Sequence, residues 1–233
     1  MLKPTKKEIV REMFDDISPR YDFLNHFLSF GIDRGWRRKL VGILASYKPS
    51  IVLDVATGTG DLAIAIASLR PQRIVGIDIS EKMLEVGRIK LTEKGLNKLI
   101  TFRTADAEKI PFSDNSFDAI TVAFGVRNYE NLNLGLQEMQ RVLRPGGVML
   151  ILEFSHPSSF PMKQLYGIYS RFVIPAMGRA ISGNRRAYTY LPESVAAFSS
   201  GKNFLDILAK IGLKNTEQIQ LSMGIASIYL AEK

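Results

Sequence analysis

The stretch Val52-Leu-Asp-Val-Ala-Thr-Gly-Thr-Gly-Asp61 constrains the fold of this chain more than any other. Apolar Ile51-Val-Leu reads as a buried strand. Gly58-Thr-Gly60 follows, and Leu62-Ala-Ile-Ala-Ile-Ala-Ser-Leu69 takes up a helical pattern. A strand, a glycine-rich turn and a helix in this order form a nucleotide-binding crevice at the strand's carboxyl end. Charge then decides between nucleotides. Asp54 closes the strand and Asp61 opens the helix, and two carboxylates oppose a pyrophosphate that seeks the positive helix N-terminus. A ligand carrying an ammonium and a sulfonium suits them, which favours S-adenosylmethionine over NAD or FAD. An ordinary strand-to-helix turn with a capping Asp61 has the same local pattern, so the other segments must discriminate.

They repeat the strand–helix rhythm. Arg73-Ile-Val-Gly-Ile-Asp78 is a second buried strand, and Ser80 caps a helix over Glu81 to Glu93 with Met83, Leu84, Val86 and Ile89 inward. Leu99 to Arg103 and Phe117 to Phe124 are further strands. A helix runs from Leu134 to Leu143 and stops at Arg144-Pro-Gly-Gly147, before a fifth strand over Val148 to Glu153. Val-, Ile- and Leu-rich strands alternating with helices imply a parallel sheet covered on both faces. Two strands about Ser222-Met-Gly make a closing hairpin. Residues 1–48 read as an N-terminal helical cap, with Ile9, Val10, Met13 and Phe14 on one face and Leu40, Val41, Ile43 and Leu44 on another. Residues 49–233 read as the main domain, with a helical lid inserted at 157–200.

Composition removes whole classes of chemistry. The chain has 233 residues and no cysteine, which excludes disulfides, thiolate metal sites and cysteine nucleophiles. His26 and His156 are the only histidines and form no cluster in sequence, so no metal is expected. The start of the sequence lacks an apolar leader, and no apolar run approaches the ~20 residues of a spanning helix, so a cytoplasmic location is expected. The net charge of +8 is unevenly placed. Residues 156–203 hold six Lys/Arg against one acid, and residues 1–48 ten against six, while the central segment is nearly neutral. Such segments attract nucleic acid or an anionic membrane face, or serve as a solvated surface.

Four positions carry candidate chemistry. Asp78 ends the second strand, where a carboxylate accepts from both ribose hydroxyls. Asp106, with Ala107 beside it, follows the third strand, where a carboxylate accepts from an adenine amino group and a backbone N–H meets a ring nitrogen. Phe124-Gly-Val-Arg127-Asn128 ends the fourth strand, facing the transferred methyl. Arg127 and Asn128 suit an oxyanion or a polarised water. The prolines and aromatic of amine-methylating nucleic-acid enzymes are missing there. Glu153 ends the fifth strand, either as a base with a raised pKa or as a structural carboxylate.

Several segments together resemble the menaquinone/ubiquinone biosynthesis C-methyltransferases. They are Tyr21-Asp-Phe-Leu-Asn25 through Ser29-Phe-Gly31 to Trp36-Arg, Arg141-Val-Leu-Arg-Pro-Gly-Gly-Val-Met-Leu-Ile-Leu-Glu-Phe-Ser155, Phe124-Gly-Val-Arg-Asn128 and Tyr190-Leu-Pro-Glu-Ser194. The resemblance implies a class I S-adenosylmethionine-dependent methyltransferase, an α/β Rossmann-like fold whose seven-stranded sheet has its last strand antiparallel. It implies C-methylation of a polyprenylated quinol, demethylmenaquinol or the related benzoquinol. Thr59, Asp78, Asp106 and Ala107 are then expected at the cofactor, with Gly58, Gly60, Asp54 and Phe124 around them, and Arg127 and Asn128 near the substrate oxygen. Two positions depart from the family's pattern: Asp33 stands where a histidine is usual, and Ala123 near where some members have serine. The expected partners are the prenylated quinol, peripherally the anionic inner face of a membrane, and a second copy as a homodimer; nucleic acid is not expected. A methyltransferase for RNA or another phenol, or a non-catalytic cofactor-binding regulator, stands as the alternative. The lid residues Phe160, Leu165, Tyr166, Ile168, Tyr169, Phe172, Val173 and Ile174 are expected to line a greasy entrance.

Overall fold

A computed structural model of the chain describes residues 4–155, 157, 160, 163–164, 167 and 185–233. The expected lid residues from Leu165 to Ile174, and His156, lie outside the described residues; Phe160 lies within them and is exposed.

Seven strands form one sheet: β1 (Ile51–Val55), β2 (Arg73–Asp78), β3 (Ile100–Thr104), β4 (Phe117–Ala123), β5 (Leu143–Phe154), β6 (Lys214–Leu221) and β7 (Ala226–Glu232). Their order is β3-β2-β1-β4-β5-β7-β6. The five first strands run parallel, and β7 enters antiparallel between β5 and β6. The strand order reverses direction at β1 and β4, and ligands bind at the carboxyl ends of strands beside such a switch point. The central strands are nearly continuous apolar runs because helices cover both faces: Val148 to Leu152 are all fully buried.

The helices are α1 (Lys6–Ile17), α2 (Tyr21–Leu28), α3 (Ile32–Ala45), α4 (Asp61–Ile66), α5 (Glu81–Glu93), α6 (Leu132–Val142), α7 (Arg185–Ala197) and α8 (Lys202–Lys210). Their starts follow from local chemistry. Thr5 and Glu8 close a capping box on α1, Ser80 Oγ accepts from Met83 N at the head of α5, and Asn131 Oδ1 accepts from Leu134 N at the head of α6.

Two expectations need correction. Ile89 is exposed on α5, while Gly87 and Leu91 turn inward. Gly87 is buried because the Phe102 ring lies against it, and apolarity alone does not reveal that. The fifth strand begins at Leu143, not Val148: Leu143 pairs with Phe117, and an irregularity passes Pro145 to Gly147 before pairing resumes at Val148. Pro and Gly here bulge the strand rather than ending an element.

Candidate active site

The carboxyl ends of β1 to β4 open into a cleft of about 700 Å³, part of it continuous with solvent. Gly58, Asp78, Asp106, Ala107, Phe124 and Asn128 line it, so six of the sequence-expected residues come together. Asp78 is held from below: Gly58 N donates to Oδ2 at 2.8 Å and Ser80 N to Oδ1 at 2.9 Å. Burial raises its pKa, and the backbone N–H groups of Ser80, Gly58 and Ile79 oppose that rise. A carboxylate has four acceptor sites, and these three N–H groups leave one for a ribose hydroxyl. Gly58 takes φ +58, and a Cβ there would stand 3.3 Å from Met83 Cε, so glycine keeps the wall open.

Asp54, Thr59 and Gly60 lie behind the cleft. Asp54 is buried and accepts from Thr57 Oγ1 at 2.5 Å and Thr121 Oγ1 at 2.6 Å. It braces the glycine turn from beneath, and burial pushes its pKa up to about 6 against those two hydrogen bonds. Thr59 Oγ1 donates to Asp22 in α2. Gly60 caps α4 at φ +83 and packs against Phe102, where a Cβ would stand 2.3 Å from Cζ. Asp61 pairs with Lys90, which also bonds Asp22 at 2.8 Å. The acidic pair read from sequence therefore supports the loop and anchors the N-terminal helices. The carboxylate residues lining the cleft are Asp78, Asp106, Glu108 and Glu130.

Arg127 and Glu153 form a buried ion pair, Nη1 to Oε1 at 2.8 Å. Phe154 N also donates to Glu153 Oε1 at 2.9 Å, while Arg127 donates to Phe124 O at 2.5 Å and to Ser194 Oγ at 3.3 Å. Burial raises the Glu153 pKa; the Arg127 charge and backbone N–H groups oppose it. Glu153 is fully buried, with Arg127 Nη1 and Phe154 N on Oε1 and Arg127 N donating to Oε2 at 3.4 Å. Asn128 reaches the cleft wall; Tyr190 O–H donates to its Oδ1 at 3.0 Å, tying α7 to the site.

Sequence reasoning missed the N-terminal contribution. Val10 and Phe14 of α1 and Tyr21 of α2 line the cleft, and Lys7 Nζ bonds Asp106 Oδ2 at 2.5 Å. Lys6 Nζ donates to Arg127 O and Tyr129 O at 3.1 and 2.6 Å. The periodic face of α1 was visible in the sequence; that it covers a ligand cleft was not. Tyr129 was also missed. Its residue lines the cleft and its buried hydroxyl has no hydrogen-bond partner among the described residues. Asp33, the departure from the family pattern, is buried in α3. It accepts from Arg37 and from Ser29 Oγ at 2.6 Å, and meets His26 Nδ1 at 2.8 Å. Burial opposes its ionisation, but Ser29, Arg37 and His26 outweigh that and hold its pKa below the usual range.

The donor set fits adenosylmethionine: carboxylates where hydroxyl and amino groups arrive, an apolar wall from Ile79, Met83 and Phe124, and an orphaned hydroxyl beside them. No group of His, Cys, Asp or Glu among the described residues could hold a metal. Fold and cleft together are those of a class I adenosylmethionine-dependent methyltransferase. The structure superposes on a SAM-dependent methyltransferase from Aquifex aeolicus with TM-score 0.57 at 21% identity, covering 78% of this chain and 81% of that one. It superposes on the [4+2]-cyclase SpnF with TM-score 0.67 at 18% identity, covering 100% and 97%. These likenesses concern the fold alone. Residues 2–233 match the ubiE/COQ5 methyltransferase family, to which this chain belongs. It is 48% identical to the demethylmenaquinone methyltransferase of Bacteroides fragilis, covering 98% of this chain and 94% of that one. It is equally 48% identical to the ubiquinone/menaquinone biosynthesis C-methyltransferase UbiE of Geotalea daltonii over the whole of both chains.

Proposed function

We propose that this protein C-methylates a prenylated quinol ring, demethylmenaquinol or the related benzoquinol. The observation that carries the reading is the near-full-length identity with relatives named for that reaction. Bound adenosylmethionine supplies an electrophilic methyl on a sulfonium, and transfer to carbon breaks its C–S bond and forms a C–C bond as the ring loses a proton. A ring carbon becomes nucleophilic only when a neighbouring hydroxyl deprotonates, so the acceptor is the reduced quinol.

The chain's own residues then have limited tasks. Asp78 and Asp106 hold the nucleoside end. Asn128 presents its amide at the cleft wall, where a substrate oxygen is held beside the reacting carbon. Arg127 keeps the Phe124–Asn128 turn in place and lends a positive charge near the forming phenolate; an arginine cannot itself be the base. Aligning two reactants ~3–3.5 Å apart is the main catalytic demand. No helix among the described residues is long and apolar enough to cross a membrane. A prenyl tail nevertheless brings the enzyme to a membrane's inner face. None of the residues described favours RNA or a purely regulatory role.

The test is methyl transfer from labelled adenosylmethionine to a short-chain demethylmenaquinone, with and without dithionite, read by product mass. One added methyl only after reduction is the expected result. No transfer in either condition, with cofactor binding intact by calorimetry, overturns the acceptor. Asp106→Asn should weaken cofactor binding without changing product identity.

A further inference from the structure

We propose that the outward face of α3, with the turns at its head, is a docking surface for an anionic phospholipid bilayer. The proposal rests on the prenylated-substrate reading for its occupant, but its evidence lies elsewhere in the molecule. Large apolar side chains are exposed at one rim: Phe30 by 74%, Met223 by 67% and Ile32 by 46%. Phe30 and Gly31 are consecutive left-handed residues, at φ +51 and +73, in the turn joining α2 to α3. Phe30 holds an uncommon backbone conformation for a bulky side chain while staying largely in solvent.

The rim is continuous with the cleft. Phe124 lines the cleft and stacks on Phe154 at 4.5 Å, and Trp36 meets both rings at 6.1 Å. Trp36 Nε1 donates to Ser222 Oγ at 2.9 Å, next to exposed Met223. Ile32 is one helical turn before Trp36. An apolar path thus leads from the reacting end of the cleft to the surface.

Below the rim, α3 exposes Arg34, Arg38 and Lys39. None of these side chains has a hydrogen bond or ion pair among the described residues, whereas neighbouring Arg37 is buried against Asp33. Between the cations lie Gly35 and Gly42, both exposed, where an added Cβ would meet nothing within 4 Å. Neither glycine has a packing reason among the described residues, and both weaken the helix. Together they leave a low strip flanked by cations, beside apolar side chains long enough to enter a headgroup layer. Apolar residues beside Lys and Arg are the composition of an interfacial element. A second copy fits poorly, because a twofold contact would set unpaired cations against one another. RNA fits poorly because Ile32 and Met223, two of the three exposed apolar side chains at the rim, are not aromatic and give bases no ring to stack on.

The experiment is co-sedimentation of the full chain with phosphatidylcholine vesicles, with and without phosphatidylglycerol, at low and high salt. The protein should pellet with the anionic vesicles at low salt and be released by salt. The variant Arg34→Gln/Arg38→Gln/Lys39→Gln should bind tenfold to a hundredfold more weakly. Ile32→Ser/Met223→Ser should also lose binding. Both variants should keep wild-type turnover on a water-soluble short-chain quinol, and lose rate on a long-tailed quinol embedded in vesicles. Wild-type protein that stays in the supernatant, or variants that pellet like wild type, overturn the proposal. So does a surface whose substitution abolishes dimers or RNA retention while sparing vesicle binding. If no protein methylates the short-chain quinol while vesicle binding follows the pattern above, the substrate reading fails and the docking surface stands.

Discussion

Arg127 was read from sequence as an oxyanion partner, and its environment assigns it a second duty. With Glu153 fully buried beside it, Arg127→Ala should strand a charge in the core and cost about 3–5 kcal/mol in urea unfolding. Adding Glu153→Gln should return much of that; a double variant as unstable as the single would refute the coupling. Asp54 allows a signed pH test. Its folded pKa of about 6 exceeds the roughly 3.9 of an unfolded aspartate, so its contribution is full below pH ~4 and is lost as pH rises through ~6. The loss amounts to about 3 kcal/mol by pH ~7 on the scale of 1.36 kcal/mol per pKa unit. Asp54→Asn should remove that share of the pH dependence, and an unchanged stability profile would contradict the buried placement. Tyr129→Phe should leave stability unchanged or raise it by up to about 1 kcal/mol, because the lost hydroxyl has no described partner. At this scale the sequence revealed which residues matter more readily than what they touch. Asp78 and Asp106 were legible because strand ends fix their position. The partners of Asp54 and Glu153 were not, because burial and contacts are three-dimensional.

Strands were the easiest elements to read, since apolar runs bounded by Gly, Pro and Asp leave few alternatives. Helical faces were harder, and glycine explains why. Phe102 of β3 occupies a slot walled by Gly60, Gly76 and Gly87, where added Cβ atoms would stand 2.3, 2.6 and 2.7 Å from its ring. The pattern places Gly87 and Ile89 on α5 without showing that an aromatic ring lies over the first. Two helical glycines should accordingly respond with opposite signs. Gly87→Ala gains about 1 kcal/mol of helix propensity but drives a Cβ into a ring that cannot retreat, at a cost of about 1–3 kcal/mol or more. Gly35→Ala meets nothing and should stabilise by about 1 kcal/mol. Denaturant melts of the two variants check both; equal shifts would mean that the slot is looser than its distances imply.

Across the whole molecule, the N-terminal helices and the sheet share one site. Lys90 joins Asp22 to Asp61, Lys7 joins Asp106, and α1 closes over the cleft. Cofactor product at a hundred times its Kd should stabilise the protein by about 2.7 kcal/mol. Amide exchange in Lys6–Ile17 should slow with it; unaltered exchange there would show that α1 does not cover the ligand. This joining could not be read from the sequence, because residues 6 and 106 meet only once the sheet exists. The antiparallel β7 has a different consequence, for synthesis. It fills the place beside β5, the most apolar strand, yet about 70 residues separate the two along the chain. At ~5–20 residues per second the ribosome leaves that edge bare for roughly ten seconds. Throughout that interval a nascent chain carries one edge of its stickiest strand unpaired, so the yield of this protein in a cell depends on whether a chaperone holds that edge before another chain does.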